Sequence, residues 1–154
     1  KYYGVKKVVV VNGHGGNTSS LVELAREFRE QGVFVSVFQW WRASEKLLPE
    51  LFDSEERGHA GAEETSVNLA INPHLVETTK AVDEKESCRL VESAGVSYGL
   101  DTIDYTVSGV FGVATTASSE KGKRVFEASV RELVEHIEYV KKLSLDDLLP
   151  KPCV

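Results

Sequence analysis

Methionine is absent from the 154 residues of this chain, and cysteine and proline are scarce, at two and four. Cys88 and Cys153 have no metal-type spacing, which argues against a zinc ribbon or disulfide framework and points to free thiols in a reducing cytoplasm. Positive charge is outnumbered: 18 Lys and Arg against 24 Asp and Glu give a formal net charge of -6. With no basic stripe and no block of like charge, nucleic acid and anionic membrane are not expected partners. No apolar run approaches a membrane span, and no signal peptide opens the sequence. The lack of both an initiator and a core methionine, in a chain that opens at Lys1 just before a core strand, is read as the mark of a missing upstream portion. The chain is then expected to be the C-terminal part of a single larger domain, by truncation, processing or gene splitting.

What is present is ordinary for a globular domain, with 42% hydrophobic and 27% charged residues. Val5 to Val11 reads as a β-branched strand buried on both faces, the pattern of a parallel sheet. Asn17 or Thr18 can cap the next helix, along which Leu21, Leu24, Ala25 and Phe28 recur at helical spacing. Gly32 ends that helix and Val33 to Phe38 forms a second strand, which completes a βαβ unit. A short helix is expected over Ser44 to Phe52, and a longer one from about Ala62 to Ile71, stopped by Asn72-Pro73. From His74 to about Asp104 the text is polar and irregular. Ser118 or Ser119 caps a long final helix with Val125, Phe126, Val130, Leu133, Ile137 and Val140 on one face, and Leu145 to Val154 reads as a loosely packed tail. No repeat or low-complexity linker marks a boundary within the chain.

Chemistry concentrates in two glycine turns. Val8-Val9-Val10-Val11 empties into Asn12-Gly13-His14-Gly15-Gly16-Asn17, and a helix follows at once. In an open α/β sheet ligands bind beyond the carboxyl ends of the strands, and glycines allow close backbone approach there. The alternative is a tight turn with an incidental solvent histidine. The second turn is His59-Ala60-Gly61-Ala62-Glu63-Glu64-Thr65-Ser66, a histidine followed by carboxylates in the first turn of a helix. Imidazole and carboxylate suit zinc, manganese or iron. Alternatively, Glu63 and Glu64 are acids complementing the helix dipole. Two such turns, each with a histidine and each entering a helix, favour a site. His74 and His136 lack metal spacing and read as solvated or structural.

Together, the N-G-H-G-G-N turn and the H-A-G-x-x-E-T-S pattern resemble the creatininase family of metal-dependent amide hydrolases. The late stretch Gly109-Val110-Phe111-Gly112, followed by Ser119-Glu120-Lys121-Gly122, looks like the family's closing loop and last helix. The resemblance implies a three-layer α/β/α fold with a mainly parallel sheet, here without its N-terminal strands. It implies that His14 and Glu64 are metal ligands and that His59 is a general acid or base. Gly13, Gly15, Gly16, Asn17 and Trp41 are implied on the substrate side. The implied cofactors are two divalent ions (Zn, Mn or Fe) per complete site, and the implied partners are a small amide substrate and further copies of the chain. In creatininase proper a glutamate sits two residues after the metal histidine. That position is Gly16 here, which points away from creatinine and toward formamide hydrolases and a precursor-peptide peptidase within the family. The family's upstream E-x-H-G-x-H-L-P segment, with its aspartate, is not in this sequence. The rival expectations are a non-catalytic subunit that lends His14 and Glu64 to another polypeptide, and a phosphate- or nucleotide-binding domain. The second is disfavoured, because no P-loop lysine and no G-x-G-x-x-G follows the strand.

Overall fold

The computed structural model describes residues 2–85, 96, 98–149 and 151, so Cys88 and Cys153 lie outside the described residues. In chain order the elements are β1 (Lys7–Asn12), α1 (Thr18–Glu30), β2 (Phe34–Gln39), α2 (Trp40–Ala43), α3 (Leu48–Leu51) and α4 (Ala62–Ile71). They continue with β3 (Asp83–Glu84), α5 (Thr102–Tyr105), β4 (Gly112–Val113), α6 (Ser119–Lys142) and α7 (Leu145–Leu148). No helix among the described residues is long and apolar enough to cross a membrane. Contacts group into two compact units, Lys1–Glu45 with Ala128–Val154, and Lys46–Glu127. The sequence carries no composition signal at either boundary, and one of them falls inside α6.

The first unit is built on the expected βαβ motif. β1 and β2 pair in parallel, with register running from Lys7 opposite Phe34 to Asn12 opposite Gln39. Gly32 reverses the chain between α1 and β2 at φ +69°. Its N–H reaches Arg29 O at 2.9 Å and the next N–H, of Val33, reaches Phe28 O at 3.0 Å. That paired return satisfies the last helical carbonyls and needs a left-handed residue, the role glycine fills without a Cβ penalty. The strand itself departs from expectation. β1 starts at Lys7, and Val5 and Val11 are 51% and 58% exposed rather than buried. The physical reason is that β1 has a single neighbour, β2, among the described residues. Parallel strands become buried on both faces only when flanked and covered.

The end of α6 and the tail belong to the same unit. Lys7 Nζ donates to Val140 O at 3.0 Å and also to Leu143 O, placing a cation at the negative end of the helix. Ser36 Oγ and His136 Nε2 lie 2.9 Å apart, so His136 has a structural partner on β2. The described start of the tail, Leu145–Leu148, is helical where a loosely packed segment is expected. Ser144 and Asp147 form a reciprocal capping box that starts α7, with Asp147 N donating to Ser144 Oγ at 3.1 Å.

In the second unit Leu48, Leu51, Phe52, Ala62, Ala114 and Val125 are buried and form the core. Of the helix expected over Ser44 to Phe52 only Leu48–Leu51 is helical, with Pro49 in its first turn, where the missing N–H needs no partner, and residues 44–47 form a turn. α4 spans Ala62–Ile71 as expected. It meets the start of α6 backbone to backbone: a Cβ on Gly122 would fall 1.8 Å from Ser66 O. Ser118 N donates to Ser66 Oγ at 2.8 Å beside that contact. The irregular stretch contains β3, antiparallel to β4. The Glu84 carboxylate gathers the N–H groups of Val107 and Ser108 at 2.5 and 2.7 Å and so pins the loop after α5.

Candidate active site

The first turn sits where β1 ends, in the first unit. Its organiser is Asn12, 2% exposed. Asn12 Oδ1 accepts from His14 N at 3.2 Å and from Asn17 Nδ2 at 3.4 Å. Its Nδ2 donates to Thr18 Oγ1 at 3.3 Å, and that hydroxyl donates to Gln39 Oε1 at 3.3 Å. A buried amide satisfied on both sides fixes the turn far better than exposed side chains can. Asn17 therefore holds the turn, and it makes no side-chain cap to α1.

His14 is exposed and extended, at the entrance of a 3₁₀ turn over Gly15–Asn17. Its ring lies over Gly16: a Cβ there would come 2.9 Å from His14 Nε2. The three glycines thus do different things. Gly16 makes room for the imidazole, Gly13 faces open space, and a Cβ on Gly15 would lie 3.9 Å from Trp41 Cζ2, an ordinary contact. Trp41, half-buried, packs edge-on against Trp40 at 6.0 Å between ring centroids and reaches this turn through Gly15.

The second turn belongs to the second unit and is tighter. Gly58 has φ +145°, and a Cβ there would meet Phe111 O at 2.1 Å. A Cβ on Gly61 would meet Glu56 O at 2.7 Å. His59 lies between these glycines, and its carbonyl accepts from Phe111 N at 2.8 Å. The next residue, Ala60, has φ 53°, the only left-handed non-glycine backbone among the described residues. That conformation costs an L-residue roughly 1–2 kcal/mol and persists only where surroundings enforce it. Here Glu64 Oε2 accepts from Ala60 N at 2.7 Å and Thr65 Oγ1 donates to Ala60 O at 3.1 Å. Glu64 is the third residue of α4, the position from which a glutamate reaches back over a helix start.

The two adjacent glutamates have separate environments. Glu63 is 6% exposed, and its Oε1 is buried without a hydrogen-bond partner, as is Arg57 Nε. Burial, reinforced by the neighbouring Glu64 charge and opposed by Arg57, pushes the Glu63 carboxyl up to about 7. Glu64 is half-buried, with one oxygen committed to Ala60.

As donors, His14 in the first unit and Glu64 in the second have the nitrogen and oxygen chemistry of a zinc, manganese or iron site. Among the described residues no three His, Cys, Asp or Glu side chains cluster as a metal site. Each unit by itself thus offers one of these donors, below the three protein ligands that a catalytic zinc uses. His74 is exposed on a 3₁₀ turn over Pro73–Leu75. The sequence reading did not single out Asn12 as a hub, Thr65 as a partner of the turn, or Phe111 beside His59. Asn12 and Thr65 act with their side chains and Phe111 through its main-chain N–H, on partners whose proximity residue spacing does not display.

The family model described as "Creatininase: Creatinine amidohydrolase" matches residues 1–137. The creatinine amidohydrolase of Pseudomonas putida is 29% identical over 148 residues, which cover 88% of this chain and 56% of that protein. The mycofactocin precursor peptide peptidase of Mycobacterium ulcerans (strain Agy99) is 31% identical over 136 residues, 85% of this chain and 48% of that protein. A crystal structure of creatinine amidohydrolase (creatininase) superposes with a TM-score of 0.68 at 29% identity, covering 93% of this chain and 59% of that one. Solved creatininases similar to the chain include one described as Mn and one as Zn–Zn type. The chain spans about half the length of the curated relatives it matches. The α/β fold is that of these relatives, and the chain belongs to the creatininase family.

Proposed function

We propose that this chain is the C-terminal part of a metal-dependent hydrolase acting on the C–N bond of a small amide or formamide. The observation that carries the reading is the paired construction of the two turns. Each holds a histidine by main-chain constraint in a chain whose family includes amide hydrolases. His14 and Glu64 hold divalent ions (Zn, Mn or Fe), two in the complete site. Such ions supply Lewis acidity toward a carbonyl and a water of lowered pKa. His59 carries a proton to the leaving nitrogen. Trp41 and the Gly13, Gly15, Gly16 and Asn17 turn receive the substrate. Gly16 leaves this turn without a carboxylate two residues after His14, which favours a formamide or other non-peptide amide over creatinine.

The remaining ligands come from a preceding segment or from a second polypeptide, in a closed homo-oligomer. The test is metal content and hydrolysis of formamides and cyclic amides, with and without that segment. The complete protein is expected to hold metal, and His14→Ala and His59→Ala are each expected to lower turnover at least ~100-fold. Full activity in His14→Ala, or a complete protein without metal, would sink the reading. The second reading, a non-catalytic subunit lending His14 and Glu64 to a partner, is favoured by the lack of a three-ligand cluster among the described residues. Co-purification of a chain that supplies the missing carboxylate and histidine ligands separates the two.

A further inference from the structure

We infer that Glu64 and Thr65 are positioning residues for His59, acting together as a clamp on the left-handed peptide of Ala60. The inference rests on the assignment of His59 as the proton carrier, and it concerns how that histidine is held. His59 is the midpoint of a segment whose main chain is fixed from both sides. Before it, Gly58 adopts φ +145° with Phe111 O where a Cβ would be, and Phe111 N–H donates to His59 O at 2.8 Å. After it, Ala60 takes φ 53°, a conformation an alanine leaves unless it is held.

The holding groups are on consecutive residues of α4 and bind opposite ends of Ala60. Glu64 Oε2 takes its N–H at 2.7 Å, and Thr65 Oγ1 gives a hydrogen bond to its C=O at 3.1 Å. The Ala60 N–H belongs to the peptide that joins it to His59. Rotation of that peptide would swing the His59 Cα–Cβ bond and carry the imidazole with it. The division of labour on Glu64 follows from the same contacts. With Oε2 bonded to the turn, a Glu64 carboxylate that also held a cation would tie ligand and proton carrier together. Thr65 carries no charge and serves the clamp alone.

The test separates the clamp from ligation. In Thr65→Val the hydroxyl is lost at constant shape, whereas Thr65→Ser keeps it. Glu64→Gln keeps an acceptor for Ala60 N–H while removing the charge. Ala60→Gly makes the left-handed backbone free of strain, so it should render the clamp dispensable. The chain has four histidines, few enough for each imidazole to be followed by NMR and His59 assigned with His59→Ala. Thr65→Val is expected to speed hydrogen exchange at the Ala60 amide about tenfold and to move or broaden the His59 ring signals. Thr65→Ser and the double variant Ala60→Gly/Thr65→Val are expected to restore both. In the active protein Thr65→Val should lower kcat about tenfold with KM little changed.

A folded Thr65→Val chain with native Ala60 exchange and native His59 signals overturns the clamp, as does failure of Thr65→Ser to restore them. If Thr65→Val does not fold, the double variant decides: recovery of the fold and of the His59 signals supports the clamp, and failure to recover overturns it. Ring signals that respond while turnover does not would uphold the clamp and overturn the catalytic assignment of His59.

Discussion

Glu63 and Glu64 are neighbours in the same first helical turn, and the fold treats them oppositely. Glu64 faces the Ala60 peptide, while Glu63 is 6% exposed and has an oxygen without a donor. The Glu63 carboxyl, pushed up to about 7 from 4.5 chiefly by burial, therefore binds its proton more tightly folded than unfolded. In that window the native state holds protons that the unfolded chain releases. Stability must fall as pH rises from the unfolded value through the folded one, with the full penalty above it. Glu63→Gln, neutral throughout, is expected to gain on the order of 2 kcal/mol relative to the parent on going from about pH 4 to about pH 8. Thermal melts at the two pH values check this, and an unchanged difference between variant and parent would refute it. The two turns were legible in the sequence because glycine and histidine at a strand end or helix start have few other uses. The roles of the two glutamates were not. Which carboxylate turns inward depends on a backbone reversal at Ala60 that alanine's own preference opposes.

At the scale of elements, the contact between α4 and α6 is the most demanding in the second unit. Gly122 has Ser66 O where its Cβ would be, so Gly122→Ala must separate two helical backbones. A loss on the order of 2 kcal/mol is expected, larger than the small gain in helix propensity, and a urea melt measures it. In the first unit, Lys7→Met keeps the aliphatic stem but removes the cation from the last carbonyls of α6. About 1 kcal/mol is expected to go, with exchange fastest in the final turn of α6, read by hydrogen exchange. The βαβ unit, α4 and α6 were legible from the valine run, Gly32, the Asn72-Pro73 stop and the apolar face of the last helix. The shortening of the expected Ser44 to Phe52 helix to Leu48–Leu51 and the two-residue strands β3 and β4 were not. Strands so short are set by their partners, here the Glu84 carboxylate bonded to the loop at Val107 and Ser108, and carry no period of their own.

For the molecule as a whole, the ligand census is the decisive quantity. Glu64 and His14 belong to separate compact units, and no trio of ligands forms among the described residues. The chain alone is therefore expected to retain well below about one equivalent of zinc or manganese after dialysis, and, on the proposed function, a protein that carries the upstream ligands to retain more. Elemental analysis of both forms checks it, and stoichiometric metal in the chain alone would refute it. The family was legible at this scale because two short patterns occur in order. The half-exposed β1 was not, since a run of valines looks the same whether one neighbour or two will cover it.

The imidazole seated over Gly16 bears on how activity could diverge within the family. A Cβ at position 16 would come 2.9 Å from His14 Nε2, so any residue larger than glycine there makes the far end of the imidazole give way by a few tenths of an ångström. A carboxylate there is accommodated by a shifted His14 ring, because no backbone atom stands within 4 Å of that Cβ. An evolutionary path, or a laboratory one, toward the glutamate-bearing arrangement must pass through a re-seated histidine. Gly16→Glu is then expected to displace the His14 ring, which a shift of its imidazole NMR signals would show.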